Sequence, residues 1–320
     1  MGTALALLLA RSTGSIRLWA RDPVRARLMR ETRANLLHLP GALLPENILV
    51  TSDPREACDG SDLVVVAIPT AFLRSTLLSL NVSFPPQVPA LSVVKGIEQD
   101  SFARPSEIIV DTLGSRPVAV LSGPSHAEEI ARGLPASVVV ASDEEPLNVA
   151  IQEVLNGPTF RVYTNSDVLG VELAGAMKNI LGIAAGICDG LGFGDNAKAA
   201  LLTRGLVEIA RFSCEMGARP STFLGLAGVG DVITTCYSPF GRNRSVGIKI
   251  GQGATLPEAL VGMTNVAEGV TTARSVHALA RSRGVAMPIT DEVYRILHEG
   301  KPPRAAVTDL MLRLPKVEWP

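Results

Sequence analysis

SDLVVVAIPT, Ser61–Thr70, carries the reading of the fold. Its apolar residues Leu63–Ile68 run consecutively instead of alternating, which suits a strand covered on both faces. Similar short β-branched runs flank it: Ile16–Trp19 and Ile48–Thr51 before it, then Ala90–Val94, Val118–Leu121, Ser137–Val140 and Phe160–Tyr163 after it. Helical stretches such as Pro23–Leu37 and Ser125–Arg132 separate several of these runs. Strands alternating with helices predict an α/β domain with a mainly parallel, doubly wound sheet. The prolines of NVSFPPQVP, Asn81–Pro89, interrupt regular structure ahead of the next strand.

Beyond about Asn165 the β-branched runs give way to helical periodicity. Leu202, Leu206, Ile209, Phe212 and Met216 recur at spacings of three and four, the mark of one helix face over Asn196–Gly217. Asp195 is the expected N-cap of that helix and Gly217 its C′ glycine. Further helices are predicted near Val168–Ile187, Gly269–Arg283 and Asp291–Glu299. The division is therefore placed at residue 165, with a sheet domain over 1–165 and an all-helical domain over 166–320.

The 320 residues suffice for two domains with separate cores. With 47% hydrophobic and 19% charged residues the chain is no disordered polyelectrolyte, and a net charge of −1 gives no general attraction to nucleic acid or acidic membranes. Cys58, Cys188, Cys214 and Cys236 form no C-x-x-C pair, which argues against a metal site or disulfide framework and fits a reduced cytoplasm. The apolar opening Thr3–Ala10 lacks a preceding basic region and is followed by Arg11, so it reads as an amphipathic first helix and not as a secretory leader. No segment supplies the ~18 uninterrupted apolar residues expected of a membrane span.

Several residues stand where chemistry could occur. Ile16–Trp19 leads into Ala20-Arg21-Asp22, where a dinucleotide fold meets the adenosine ribose; Arg21 suits a 2′-phosphate or is a solvated turn residue. Ahead of the first helix only Gly2 could belong to a G-x-G-x-x-G run. Lys95 follows a strand and faces the crevice at its carboxyl end, unless it is simply solvated. In Gly123–Glu128, GPSHAE, Ser125 and Glu128 have capping-box spacing, and the helix start they announce could receive an anion. Lys178 lies among Ala, Met, Ile and Leu, where desolvation would lower its pKa toward that of a neutral-pH proton carrier; the alternative is a lysine that snorkels to water. A glycine-rich turn ends at Asp231, and Arg242, Asn243 and Arg244 suit either a phosphate or a charged surface loop.

Taken in order, GTALA, LWARDP, KGIE, SGPSHAEE, GVELAGAMKN, DGLGFGDNAKAALLTRG, GLAGVGDV, GRNRSVG and VAEG resemble the bacterial NAD(P)-dependent glycerol-3-phosphate dehydrogenases, from Gly2 to the C-terminus. The resemblance implies a Rossmann-like domain followed by an all-α domain, with NADP or NAD as cofactor. It implies interconversion of dihydroxyacetone phosphate and sn-glycerol 3-phosphate for phospholipid synthesis, and so a small phosphorylated substrate. It leaves homodimerisation open. By the same resemblance Lys178 is the catalytic lysine, Lys95 touches both cofactor and substrate, and Asp231 lies beside the substrate. Gly123, Ser125, Arg242 and Asn243 would meet the substrate. Gly2, Arg21, Ala127, Val266 and Glu268, with Lys95 and Arg242, would meet the cofactor.

The sequence departs from that family in two places. Gly241 stands where the family usually has serine ahead of the Arg-Asn pair. The family's first strand and leading G-x-G have no counterpart ahead of Gly2, so the expectation is a natural start upstream of Met1. A truncated, cofactor-deficient remnant and another Rossmann-type hydroxyacid reductase are the competing readings.

Overall fold

The β-branched runs become short strands, and the segments between them become helices wherever a cap and an apolar face coincide. The computed structural model describes residues 1–263, 266–315 and 317–318. The sheet region contains α1 (Gly2–Leu9), β1 (Ile16–Trp19), α2 (Pro23–Thr32), β2 (Ile48–Thr51), α3 (Pro54–Cys58), β3 (Val64–Val66), α4 (Thr70–Leu80) and β4 (Ala90–Ser92). It continues with α5 (Pro105–Leu113), β5 (Val118–Ser122), α6 (Ala127–Ala131), β6 (Ala136–Ala141), α7 (Glu145–Leu155) and β7 (Phe160–Asn165). The helical region follows as α8 (Val168–Gly190), α9 (Asp195–Glu215), α10 (Pro220–Phe223), α11 (Asp231–Tyr237), α12 (Arg242–Gly251), α13 (Leu256–Leu260), α14 (Glu268–Arg283), α15 (Pro288–His298) and α16 (Pro303–Met311).

The molecule is thus a Rossmann-like sheet followed by helices, with two refinements of the expected topology. Strands β1 and β2 pair with each other in parallel, while β3-β4-β5-β6-β7 form a separate five-stranded sheet. Within the larger sheet β5 and β6 run antiparallel and the other neighbours run parallel. The β5–β6 connection carries only the five-residue α6, too little helix to return the chain along the sheet for a parallel crossover. Helix α1 underlies both strand groups: its Ala4, Leu5, Leu8 and Leu9 share one cluster with Ile16 on one side and Leu63 and Val65 on the other. It is therefore buried almost all round and is not the amphipathic helix expected. Helix α2 ends at Thr32, short of the predicted Leu37, because Arg33 adopts a left-handed conformation (φ 50°) that no helix continues through.

Helix α8 organises the second region. It has 23 residues and enough apolar character to cross a membrane by length and composition, yet it is almost wholly buried and serves as the core helix. Helix α9 packs beside it through Ile209 and Phe212, with Leu202, Leu206 and Met216 partly buried along the predicted face. Gly217 (φ 103°) follows the end of α9 as expected. Its N-cap is Gly194, not Asp195, which is the first helical residue.

The closest helix pairing is α8 against α12. Gly182, Gly186 and Gly190 repeat every four residues along one face of α8, opposite Gly247 and Gly251 of α12. A Cβ on Gly186 would lie 2.1 Å from the Arg244 carbonyl oxygen, and one on Gly247 2.1 Å from that of Ile183. Side chains at these positions would push the helices apart, and with them the start of α12 from Lys178, one turn before Gly182.

Candidate active site

Lys178 is buried on α8 and does not snorkel. Its Nζ donates to Asp231 Oδ1 and, at 2.7 Å, to Thr235 Oγ1. Asp231 Oδ2 accepts from Lys95 Nζ at 2.6 Å and from the Gly123 N–H at 3.3 Å. One carboxylate therefore joins two ammonium groups, one from each region of the chain. Lys95 Nζ also donates to the Gly123 carbonyl at 3.0 Å and to Ser125 Oγ at 3.3 Å.

The local backbone explains how these groups converge. Leu226–Gly230 form a π-helical turn that runs directly into α11 and sets the direction of Asp231 at its first residue. Gly228 permits that turn, since a Cβ there would stand 2.1 Å from the Phe223 carbonyl oxygen. Gly123 has φ 119° and closes on Val138, so only glycine brings this N–H to Asp231 without strain. Thr235 lies one turn after Asp231 on the same face of α11.

Electrostatics separate the partners. Burial pushes the Lys178 ammonium down, Asp231 pulls it back only in part, and Lys95 lowers it further, leaving it at about 8. Burial alone would raise the Asp231 carboxyl, but Lys178 and Lys95 outweigh it and hold the group below the ordinary carboxylate range. The cluster thus carries a permanent anion and a lysine that changes charge near neutral pH.

The other expected residues surround this centre with differing roles. Ser125 does not form the predicted capping box with Glu128: its Oγ donates to the Gly123 carbonyl at 2.8 Å and receives Lys95, while His126 becomes the N-cap of α6. Ala127 is the first residue of α6. The Asn243 side chain is already committed: its Nδ2 donates to Asn179 Oδ1 at 3.0 Å and its Oδ1 accepts from the Gly269 N–H at 3.0 Å. Asn179 in turn donates to the Lys95 carbonyl at 3.2 Å. Arg242 is exposed at the first position of α12 and free to reach a ligand. Arg244 turns away to Asp189 at 2.7 Å, so the basic triplet is not one continuous anion patch. The Glu268 carboxylate, raised by burial, accepts from the Thr70 N–H at 3.1 Å and bridges the two regions. Val266 is half-buried just ahead of α14.

Two further residues expected at a dinucleotide stand at the start of α1 and after the carboxyl end of β1. Gly2 opens α1, and a Cβ there would stand 3.3 Å from that of Ala67 beyond β3, a tight fit. Arg21 is exposed after β1, while Asp22 turns its carboxylate onto its own helix, accepting from the Val24 N–H at 2.9 Å. Burial first, and then the Arg242 guanidinium, lower the Met1 amino group. Thr235 and Asn179 join the site without a motif of their own. Their signals were present: Thr235 is four residues after Asp231, and Asn179 adjoins Lys178.

A sheet region joined to helices through a buried lysine–aspartate centre defines a two-domain dehydrogenase of Rossmann type. The chain belongs to the NAD-dependent glycerol-3-phosphate dehydrogenase family, whose N-terminal model matches residues 1–148 and whose C-terminal model matches residues 167–308. It is 46% identical to the glycerol-3-phosphate dehydrogenase (NAD(P)+) of Moorella thermoacetica, covering 98% of this chain and 93% of that one. Identity to the enzyme of the same name from Geobacillus thermodenitrificans is 47%, covering 99% and 93%. The crystal structure of glycerol-3-phosphate dehydrogenase from Coxiella burnetii matches with a TM-score of 0.93 at 38% identity, covering 97% of this chain and 95% of that one.

Proposed function

We propose that this chain catalyses the NAD(P)-linked interconversion of dihydroxyacetone phosphate and sn-glycerol 3-phosphate at the Lys178–Asp231–Lys95 cluster. The observation that carries the reading is the buried lysine shared with a carboxylate and a second lysine where the two regions meet. When bound, the nicotinamide supplies or accepts the hydride at C2 of the substrate. Lys178 holds the proton that the C2 oxygen gains in reduction and loses in oxidation; an ammonium that titrates at about 8 suits both directions. Lys95 places a second positive charge beside the same oxygen as it becomes anionic. Asp231 keeps the two ammonium groups together and, with Thr235, orients Lys178.

Arg242 and the backbone N–H groups of the first turn of α12 hold the substrate phosphate. Asn243 contributes through its backbone, because its side chain ties α12 to α8 and α14. Gly123 and Ser125 line the substrate beside Lys95. Gly2, Arg21, Ala127, Val266 and Glu268, with Lys95 and Arg242, line the cofactor. The proposal divides the chain into a cofactor domain, 1–165, and a substrate domain, 166–320, and extends to a cytoplasmic enzyme that forms a homodimer and supplies phospholipid synthesis. The test is steady-state oxidation of NADPH or NADH on addition of dihydroxyacetone phosphate, alone and with Arg242→Ala. The expected result is turnover by the wild type and a large rise in KM for the phosphorylated substrate in the variant. Absence of turnover with both cofactors overturns the reading.

A further inference from the structure

His126 stands between Ser125 and Ala127 and has no part in the machinery above. Its Nε2 atom is buried with no hydrogen-bond partner among the described residues. A buried polar nitrogen left unpaired is costly, and at the edge of a binding site it marks where a ligand atom completes the structure. The ring packs against Phe240, centroid to centroid 5.9 Å at 56°. Phe240 belongs to the loop that enters α12, two residues before Arg242. Lys178 of α8 and Asp231 of α11 act on the ring's charge from the reacting centre, and Glu128 and Glu129 act from its own helix. Burial first, and Lys178 second, lower its proton affinity, so the imidazole is neutral at pH 7 with a single N–H to give. Gly241, between Phe240 and Arg242, cannot offer a side-chain donor; a Cβ there would stand 2.9 Å from the Thr235 carbonyl oxygen.

We propose that His126, through Nε2–H, donates a hydrogen bond to the phosphate of the substrate and supplies the donor that Gly241 cannot. The inference rests on the reading that Arg242 and the start of α12 hold that phosphate. It makes His126 a binding and specificity residue: affinity for phosphorylated ligands depends on it, and the proton transfer at Lys178 does not.

The experiment compares the wild type with His126→Phe, which keeps a ring against Phe240, and His126→Gln, which restores an N–H. His126→Leu serves as a second variant without the donor. KM for dihydroxyacetone phosphate, kcat, the inhibition constant of inorganic phosphate and the NADPH Kd are measured for each; an NADPH Kd within about twofold of wild type certifies the fold. A hydrogen bond to a charged group predicts a rise of about ten- to a hundredfold in both KM and the phosphate inhibition constant for the Phe and Leu variants. The expected kcat lies within about threefold of wild type, with much of the affinity recovered by Gln. An unchanged phosphate inhibition constant in the Phe and Leu variants overturns the proposal. The Arg242→Ala arm separates the two levels. If that variant alone loses phosphate affinity, the role of His126 is wrong and the phosphate site stands. If neither does, the phosphate site itself is misplaced.

Discussion

Asp231 and Glu208 are both carboxylates buried in the helical region, and they do opposite things. Glu208 on α9 accepts the Ile289 and Thr290 N–H groups, each at 2.9 Å, at the start of α15. It ties two helices together with backbone donors that cannot change charge, and burial outweighs those donors and raises its carboxyl. Glu172 does similar work on Ser106 at the start of α5, assisted by Arg104. Asp231 instead receives two ammonium groups, which hold it ionised and leave Lys178 near its own titration. The donor type separates scaffold from chemistry: N–H groups fix geometry, whereas a desolvated ammonium keeps a proton available.

The comparison breaks most visibly at Lys178. Lys178→Ala should lower kcat by at least ~10²–10⁴-fold while NADPH titration gives an unchanged Kd, since a general acid contributes that much and the cofactor is held elsewhere. Near-normal turnover in the variant would remove the lysine from the reaction. Gly186→Ala tests the packing that brings α12 to the cluster. Its Cβ would strike the Arg244 carbonyl oxygen, and overpacking of that kind costs about 1–3 kcal/mol. Thermal unfolding should show the loss, and KM for dihydroxyacetone phosphate should rise with it.

Glu208→Ala sharpens the scaffold side. Two buried N–H groups lose their acceptor, so stability should fall by about 1–3 kcal/mol while the kcat of the folded fraction is retained. An activity loss exceeding the folded fraction would place Glu208 with the chemistry after all. The smallest effect belongs to Arg21, exposed after β1. With Asp22 engaged in capping α2, Arg21→Ala should reduce the NADPH-over-NADH preference by roughly tenfold, read from kcat/KM with each cofactor.

Much of this was legible in the sequence where one residue's neighbours along the chain are also its neighbours in space. The apolar surroundings of Lys178 on one helix are of that kind, whereas the consecutive apolar run at Leu63–Ile68, expected to be covered on both faces, forms an edge strand with Val64 and Val65 only partly buried. The glycines of α8 at spacing four were equally readable, although their use depends on α12, whose Gly247 and Gly251 lie more than fifty residues away. Partner choice was not legible. Ser125 has capping-box spacing with Glu128, yet Lys95 and the Gly123 carbonyl, brought together by tertiary structure, take its hydroxyl. Asn243 reads as a phosphate ligand until Asn179 and Gly269 claim both ends of its amide.

The pH dependence of kcat tests the central claim that Lys178 is the proton carrier. With a buried ammonium at about 8, reduction of dihydroxyacetone phosphate needs the protonated form and should slow as pH rises through that value. Oxidation of sn-glycerol 3-phosphate needs the neutral amine and should quicken over the same interval. Opposite inflections near pH 8 in the two directions, both absent from the residual rate of Lys178→Ala, are the predicted result. Profiles without an inflection in the wild type, or the same inflections persisting in Lys178→Ala, would contradict it.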